Sequence, residues 1–457
     1  MSSKPFFQVP TGERYALRNA TVPLCLLDSS SPRHPALSKG ADEDGLVHAD
    51  VLVEDGRLAA IERPGTMPPE LGVDVDSSMI LPCMADVHTH LDKGHIWPRH
   101  RNPDGSHHGA VVAVGADRTA HWQAEDVMRR MEFALATAYA KGASAIRTHL
   151  DSLAPQASIS FPVFAEVRDR WAGRVELQAT SLAPLDIFLT DEGRELADIV
   201  ARTGGQLGCN TRFRAIANEP IPPEFDVAMK RLMQLATERG LDIDLHVDEA
   251  TDPAARTLRR VAELAIEVGF TGDILCGHCC ALALQTDEYI EETLALCREA
   301  RVDIVSLPTV NMYLQDRQVV DGKCRTPRWR GVTVLHEAKR AGLRVAVAGD
   351  NCRDPFHATG DHDMLDTFTQ AVRIAHLDHP FGDWICSATS VSADIMGLRQ
   401  RGRLHVGHDA DLIVLRARDY SEMLARFQFD RVVLRKGRAI DTTLPDYRLL
   451  DDLMAVV

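Results

Sequence analysis

Five short runs of the chain end an apolar, β-branched segment on a histidine or a carboxylate. They are ADVHTHL with His88 and His90, IRTHLD with His149, DLHVDE with His246 and Glu249, LCGHC with His278, and VAVAGDN with Asp350. His88 and His90 stand at i and i+2, so on a strand both rings project to one face and two imidazoles can reach one metal ion. A lone HxH pair is weak evidence for a metal. Here His246 offers a third nitrogen and Asp350 a carboxylate. Three imidazoles and one carboxylate suit a single divalent ion, zinc or iron(II), with a position left for water. Such an ion lowers the pKa of its water toward neutrality and makes hydroxide available for hydrolysis.

Groups like these need strand ends to hold them, and the sequence supplies a repeating unit. Apolar β-branched segments occur near Ile146, Leu177, Leu207, Ile243, Ile274, Ile304 and Val345. Amphipathic stretches such as 124–142 and 253–269 separate them, with apolar residues at helical spacing. With the lead-in to His88 this makes eight strands alternating with helices, the pattern of a (β/α)8 TIM-type barrel, in which reactive groups sit at the C-terminal strand ends. A doubly wound sheet competes, but no glycine-rich phosphate turn follows the first strand. Residues 92–123 are long and polar for a connecting loop, and read as a functional lid or wall. The two ends of the chain differ from this middle. Short strands punctuated by turns recur in 15–82 and again in 408–441, with a hairpin expected at Asp55-Gly56 and a turn at Lys436-Gly437. The expected organisation is therefore an α/β chain: 1–82 and 401–457 form one small β-sandwich domain from both termini, and 83–400 form the barrel.

Composition removes several classes. The chain has 457 residues, 45% hydrophobic and 26% charged, with a net charge of −15. These are globular values, and the acidic balance argues against nucleic-acid binding, which needs a basic face. No apolar run approaches a membrane span and the N-terminus lacks a secretory core, so a cytoplasmic protein is expected, with no membrane partner. The 10 cysteines are scattered and read as reduced thiols, and the Cys276/Cys279 CxxC alone is weak evidence for a zinc site.

Six motifs together resemble the amidohydrolase superfamily, in its cytosine-deaminase-like branch: VHTHLDK (87–93), IRTHLD (146–151), LHVDE (245–249), GHCCALA (277–283), LPTVNMYLQDR (307–317) and GDNCRDPF (349–356). The resemblance implies that His88, His90, His246 and Asp350 are metal ligands. It implies that Glu249 protonates a ring nitrogen and ferries protons, that His278 hydrogen-bonds or helps deprotonate the attacking water, and that Asp350 doubles as proton acceptor. Binuclear relatives bridge two metals with a strand-four lysine; no lysine lies between Lys141 and Lys230, so one metal is favoured and the dihydroorotase type is not. Two departures bear on the substrate. Where cytosine deaminases carry a ring-reading glutamine after strand three, TSLAPLD (180–186) offers Pro184. Where the bacterial enzyme follows its strand-eight aspartate with a carboxylate, this chain has Asn351.

Around these positions the residues leave two readings each. Lys93 and His95 either touch substrate or lie in a solvated loop. Arg353 and Phe356 could bind a flat polar ring through a guanidinium or an aromatic face, or belong to turn chemistry at Asp354-Pro355. Gln315 either walls the substrate or makes a structural hydrogen bond. For His149 a satisfied core histidine is the better reading, and for His107 and His108 solvent exposure is. The expected activity is that of a metal-dependent aminohydrolase on a small nitrogen heterocycle or cyclic amidine (an amino-pyrimidine, amino-triazine or creatinine-like ring), releasing ammonia, in a homo-oligomer. The rivals are hydrolysis of a cyclic amide or other C–N bond at the same site, and a catalytically silent barrel that only binds a ligand.

Overall fold

The computed structural model describes residues 6–213 and 221–455. Eight strands follow the anticipated rhythm: β1 (Met84–Thr89), β2 (Ala143–Asp151), β3 (Glu176–Leu182), β4 (Leu207–Asn210), β5 (Ile243–Val247), β6 (Ile274–His278), β7 (Val302–Ser306) and β8 (Val345–Val347). β1, β2 and β3 form one sheet in that order, and β4 to β8 form a second, parallel sheet in sequence order. Isolated parallel bridges link Thr180 to Gln206, Pro184 to Asn210 and Thr89 to Asp350. The strands are short and buried almost throughout, as expected of parallel strands covered on both faces. A helix follows nearly every strand. Those at Asp191–Thr203, Glu224–Arg239 and Thr257–Val268 each end on a glycine in the left-handed conformation, where a side chain would be strained.

Nearly half of the 92–123 segment is helical. It carries helix α1 (His107–His121), whose N-cap Ser106 accepts a 2.9 Å hydrogen bond from the Gly109 N–H. Ala110, Ala113, Val114 and Asp117 lie on its buried stripe. The polar composition of the segment conceals this short apolar repeat.

The strands from both ends of the chain form one eight-stranded sheet, in which Met79–Pro82 pairs with Leu412–Leu415. The anticipated hairpin at Asp55-Gly56 is present, and the turn at Lys436-Gly437 closes a second one; all four residues take positive φ, the signature of a two-residue type I′ turn.

The chain divides into two compact units, 1–86 with 136–145 and 363–444, and 87–135 with 146–362 and 445–457. The segments 363–400 and 445–457 thus fall on opposite sides of the expected boundaries, and side chains explain why. In the first unit Asp363, which caps the helix Met364–Ala375, makes a two-pronged pair with Arg431 at 2.8 Å, both side chains largely withdrawn from solvent. In the second, Asp452 receives Arg129 at 2.7 Å, and the Tyr447 hydroxyl donates to Asp361 at 2.7 Å. No helix among the described residues is long and apolar enough to cross a membrane. None of the ten cysteines forms a disulfide.

Candidate metal centre and active site

The ends of β1, β5 and β6, with the residues leaving β8, converge on one buried cluster. His90 Nε2 lies 3.1 Å from Asp350 Oδ1 and 3.3 Å from His246 Nε2, and His88 Nε2 lies 3.7 Å from the same Asp350 oxygen. Edges of that length are what four donors around one ion give when each bond is about 2.1 Å. His88, His90 and Asp350 form one group able to share an ion, and His88, His246 and His278 another. The buried Nδ1 atoms of His90 and His246 have no hydrogen-bond partner among the described residues. Burial first, and the neighbouring imidazoles second, hold His246 well below the usual imidazole range; burial acts likewise on His88 and His90. Neutral imidazoles are the form that binds a metal, so the donor set fits a divalent cation.

His149 lies in this cluster rather than in a separate core. Its ring lies 4.0 Å from that of His88, tilted, and 4.6 Å from that of His246, edge-on, and Nε2 faces Asp244 at 3.6 Å. Burial pushes Asp244 up to about 7, against the pull of Arg147.

Glu249 lies beside the cluster, with Oε1 3.6 Å from His278 Nδ1 and Oε2 3.3 Å from His107 Nε2. Burial would raise its pKa, but His278 and His107 override that and bring the carboxyl to about 2. Asn311, on the helix α2 (Pro308–Leu314), donates to His278 Nδ1 at 2.9 Å and toward Glu249 Oε1 at 3.4 Å. With the amide oriented so, Nδ1 of His278 is the acceptor and the proton sits on Nε2, which has no other partner among the described residues.

A cavity of about 660 Å³ opens over these groups. Lys93, Asn351 and Phe356 line it with His90, His246, Glu249, His278 and Asp350. Lys93 is buried, pairs with Asp151 at 2.9 Å and sits 5.2 Å above the Phe356 ring. Burial alone would lower its pKa, but Asp151 and Asp92 raise it, so the ammonium persists. The Asn351 amide donates to Asp354 at 2.7 Å. Pro184 lines the cavity wall. Gln315 and Arg353 are not among the lining residues: Gln315 accepts from the Thr251 hydroxyl, and the Arg353 guanidinium lies 4.2 Å over the Tyr447 ring. His107, His108 and Arg118 line the cavity, carried there by α1, so the two histidines face it rather than open solvent. The signal that could have found them is Ser106 followed by an apolar i, i+3, i+4 repeat.

The Amidohydrolase family model matches residues 188–436. A pterin deaminase from Rhizobium rhizogenes strain K84 is 48% identical over 99% of both chains. The chain belongs to the amidohydrolase family. A more distant amidohydrolase, N-isopropylammelide isopropyl amidohydrolase from Pseudomonas sp. strain ADP, is 23% identical over 80% of this chain and 87% of its own. Among solved structures, 5-methylcytosine deaminase from Klebsiella pneumoniae superposes with a TM-score of 0.74 at 21% identity, covering 93% of this chain and 97% of that one. N-isopropylammelide isopropylaminohydrolase from Burkholderia multivorans gives 0.72 at 21% identity, over 95% and 100%. The amidohydrolase family generally works with a divalent metal, and the His/Asp groups above are where this chain could hold one.

Proposed function

We propose that the chain is a mononuclear, metal-dependent deaminase whose substrate is a pterin, a fused ring bearing a 2-aminopyrimidinone. The observation that carries the ring is the 48% identity, over nearly the whole of both chains, to a pterin deaminase. The reaction adds water to the ring carbon that bears the amine and expels ammonia, leaving a carbonyl. His88, His90, His246 and Asp350 would hold the ion, zinc or iron(II), which when bound supplies a water acidic near pH 7.

The chain's own groups move the protons. Glu249 rests as a carboxylate, takes the proton shed by the water and passes it to the ring nitrogen next to the reacting carbon. The His278 Nε2–H donates a hydrogen bond to the oxygen being added, and Asn311 fixes that tautomer. Asp350 accepts the second proton as the carbonyl forms and returns it to the departing amine, which leaves as ammonia. Pro184 leaves space where a polar side chain would crowd a second ring, and Phe356 offers it a flat face. Lys93 and Asn351 read polar edges of the substrate.

The scaffold for this reading is a closed (β/α)8 barrel, supported by bridges at both junctions between its two sheets. The terminal strands would fold over as a sandwich, supported by the burial of both faces of Arg14–Pro23 and Leu46–Glu54 and by the register break between Leu17 and Ala20.

The test is ammonia release by metal-quantified protein from pterin, cytosine, isocytosine, isoguanine, ammelide and creatinine. One ammonia per pterin, with the single-ring substrates slower, is the expected result. Fully metallated protein that leaves pterin untouched would refute the substrate, and silence across the panel would refute the reaction.

A further inference from the structure

A second cluster of metal-ligating side chains lies outside the site described above, where the segments leaving β1 and β8 meet. His95, Cys352 and His362 are all buried, and each offers one donor atom within 4.8 Å of the other two. We propose that this trio binds a second, structural transition-metal ion of the zinc class.

Three observations carry the proposal. Both ring nitrogens of His95 are buried, at 2% exposure, and have no hydrogen-bond partner among the described residues. A buried imidazole with neither nitrogen satisfied is destabilising, and a metal bond removes part of that cost. The donors also come from backbone already fixed in place. The His95 N–H donates to the Cys352 carbonyl at 2.9 Å, the Trp97 N–H donates to Arg353 at 2.8 Å, and His95 and His362 both hold positive φ. Finally, one thiolate and two imidazoles are a soft, nitrogen-rich set that selects zinc-like ions over magnesium or calcium.

The surrounding charges permit a cation. Arg130 is held by Asp126 at 2.9 Å and by the Gly94 carbonyl at 3.1 Å, Arg353 lies on the Tyr447 ring, and Tyr447 is bonded to the Asp361 carboxylate. Binding expels the Cys352 thiol proton to solvent, and the sulfur leaves the Gly360 carbonyl, which it now contacts at 2.8 Å. An ion here would pin the segment that carries Lys93 to the one that carries Asp354 and Phe356, both of which border the cavity.

Metal counting on the full-length protein, loaded with zinc and freed of excess, tests this directly. Two ions per chain are expected in the parent, one in Cys352→Ser and one in His362→Ala. His246→Ala should also retain one, because it empties the other centre; this separates failure of the present proposal from failure of the proposed catalytic site. Cobalt(II) gives an independent signature. The catalytic donor set contains no sulfur, so a thiolate-to-cobalt charge-transfer band in the parent, persisting in His246→Ala and absent in Cys352→Ser, reports on this trio alone. A single ion per chain in the parent, or a folded parent without that band, would overturn the proposal.

Discussion

At the scale of single residues, the strand-tip histidines and carboxylates were legible because their chemistry is local: an HxH pair projects to one face whatever surrounds it. What the sequence hid is each residue's partner across the fold. Asn311 lies 33 positions from His278 and 62 from Glu249, yet it donates toward both. His107 looked like a solvated loop residue and instead faces Glu249. Gln315 reads equally as a substrate wall or a structural hydrogen bond, and across the fold it accepts from the Thr251 hydroxyl. The proposed division of labour makes Glu249 a proton carrier and His246 a ligand, so their variants should separate. Glu249→Gln is isosteric and should keep its full metal content while kcat falls by about 10²–10⁴, the usual worth of one positioned acid–base group. His246→Ala should lose the catalytic ion together with the activity. Metal analysis beside steady-state kinetics checks both, and turnover surviving in Glu249→Gln would remove it from the mechanism.

At the scale of elements, the eight strands could be read because parallel strands buried on both faces must be continuously apolar. Helix α1 could not, because its start depends on one capping side chain and its buried stripe is short. That same dependence makes the helix testable. Ser106 caps it through the Gly109 N–H, and replacing such a cap by alanine costs about 1 kcal/mol, here confined to an element that carries His107 and Arg118 over the cavity. Ser106→Ala should therefore raise KM and lower kcat severalfold with little change in global unfolding, and Ser106→Asp, which can cap as well, should restore the parent values. Equal kinetics in all three proteins would mean that α1 is wall and nothing more.

At the scale of the whole molecule, stability against acid should fall in two separate windows. His88, His90, His149 and His246 are held neutral chiefly by burial, with folded-state pKa values well below that of a free imidazole. For such groups the unfolded chain binds more protons once the pH drops below about 6.5, so folding stability is complete above that value and declines below it, by up to about 1.4 kcal/mol per pH unit per imidazole. Asp363 behaves differently. Burial would raise its pKa, but Arg431 and then Lys141 bring it below the ordinary aspartate value, so its contribution persists above about pH 4 and disappears only as the pH falls through the lower folded value. The first window should therefore be widest in protein stripped of metal, since a bound ion excludes protons from the same nitrogens until the pH is low enough to release it. Denaturant melts of chelated and metal-loaded protein between pH 8 and pH 5 should show the chelated form losing stability steeply below about 6.5 and the loaded form holding to lower pH. In chelated protein His149→Gln, which removes one buried imidazole from the cluster, should flatten the slope by close to one proton's worth. Arg431→Ala should instead lower stability by about 3–5 kcal/mol at every pH in that range, because it leaves the Asp363 carboxylate buried without its main partner. A chelated protein with no slope between pH 8 and 5 would show that the cluster opens to water once its ion is gone.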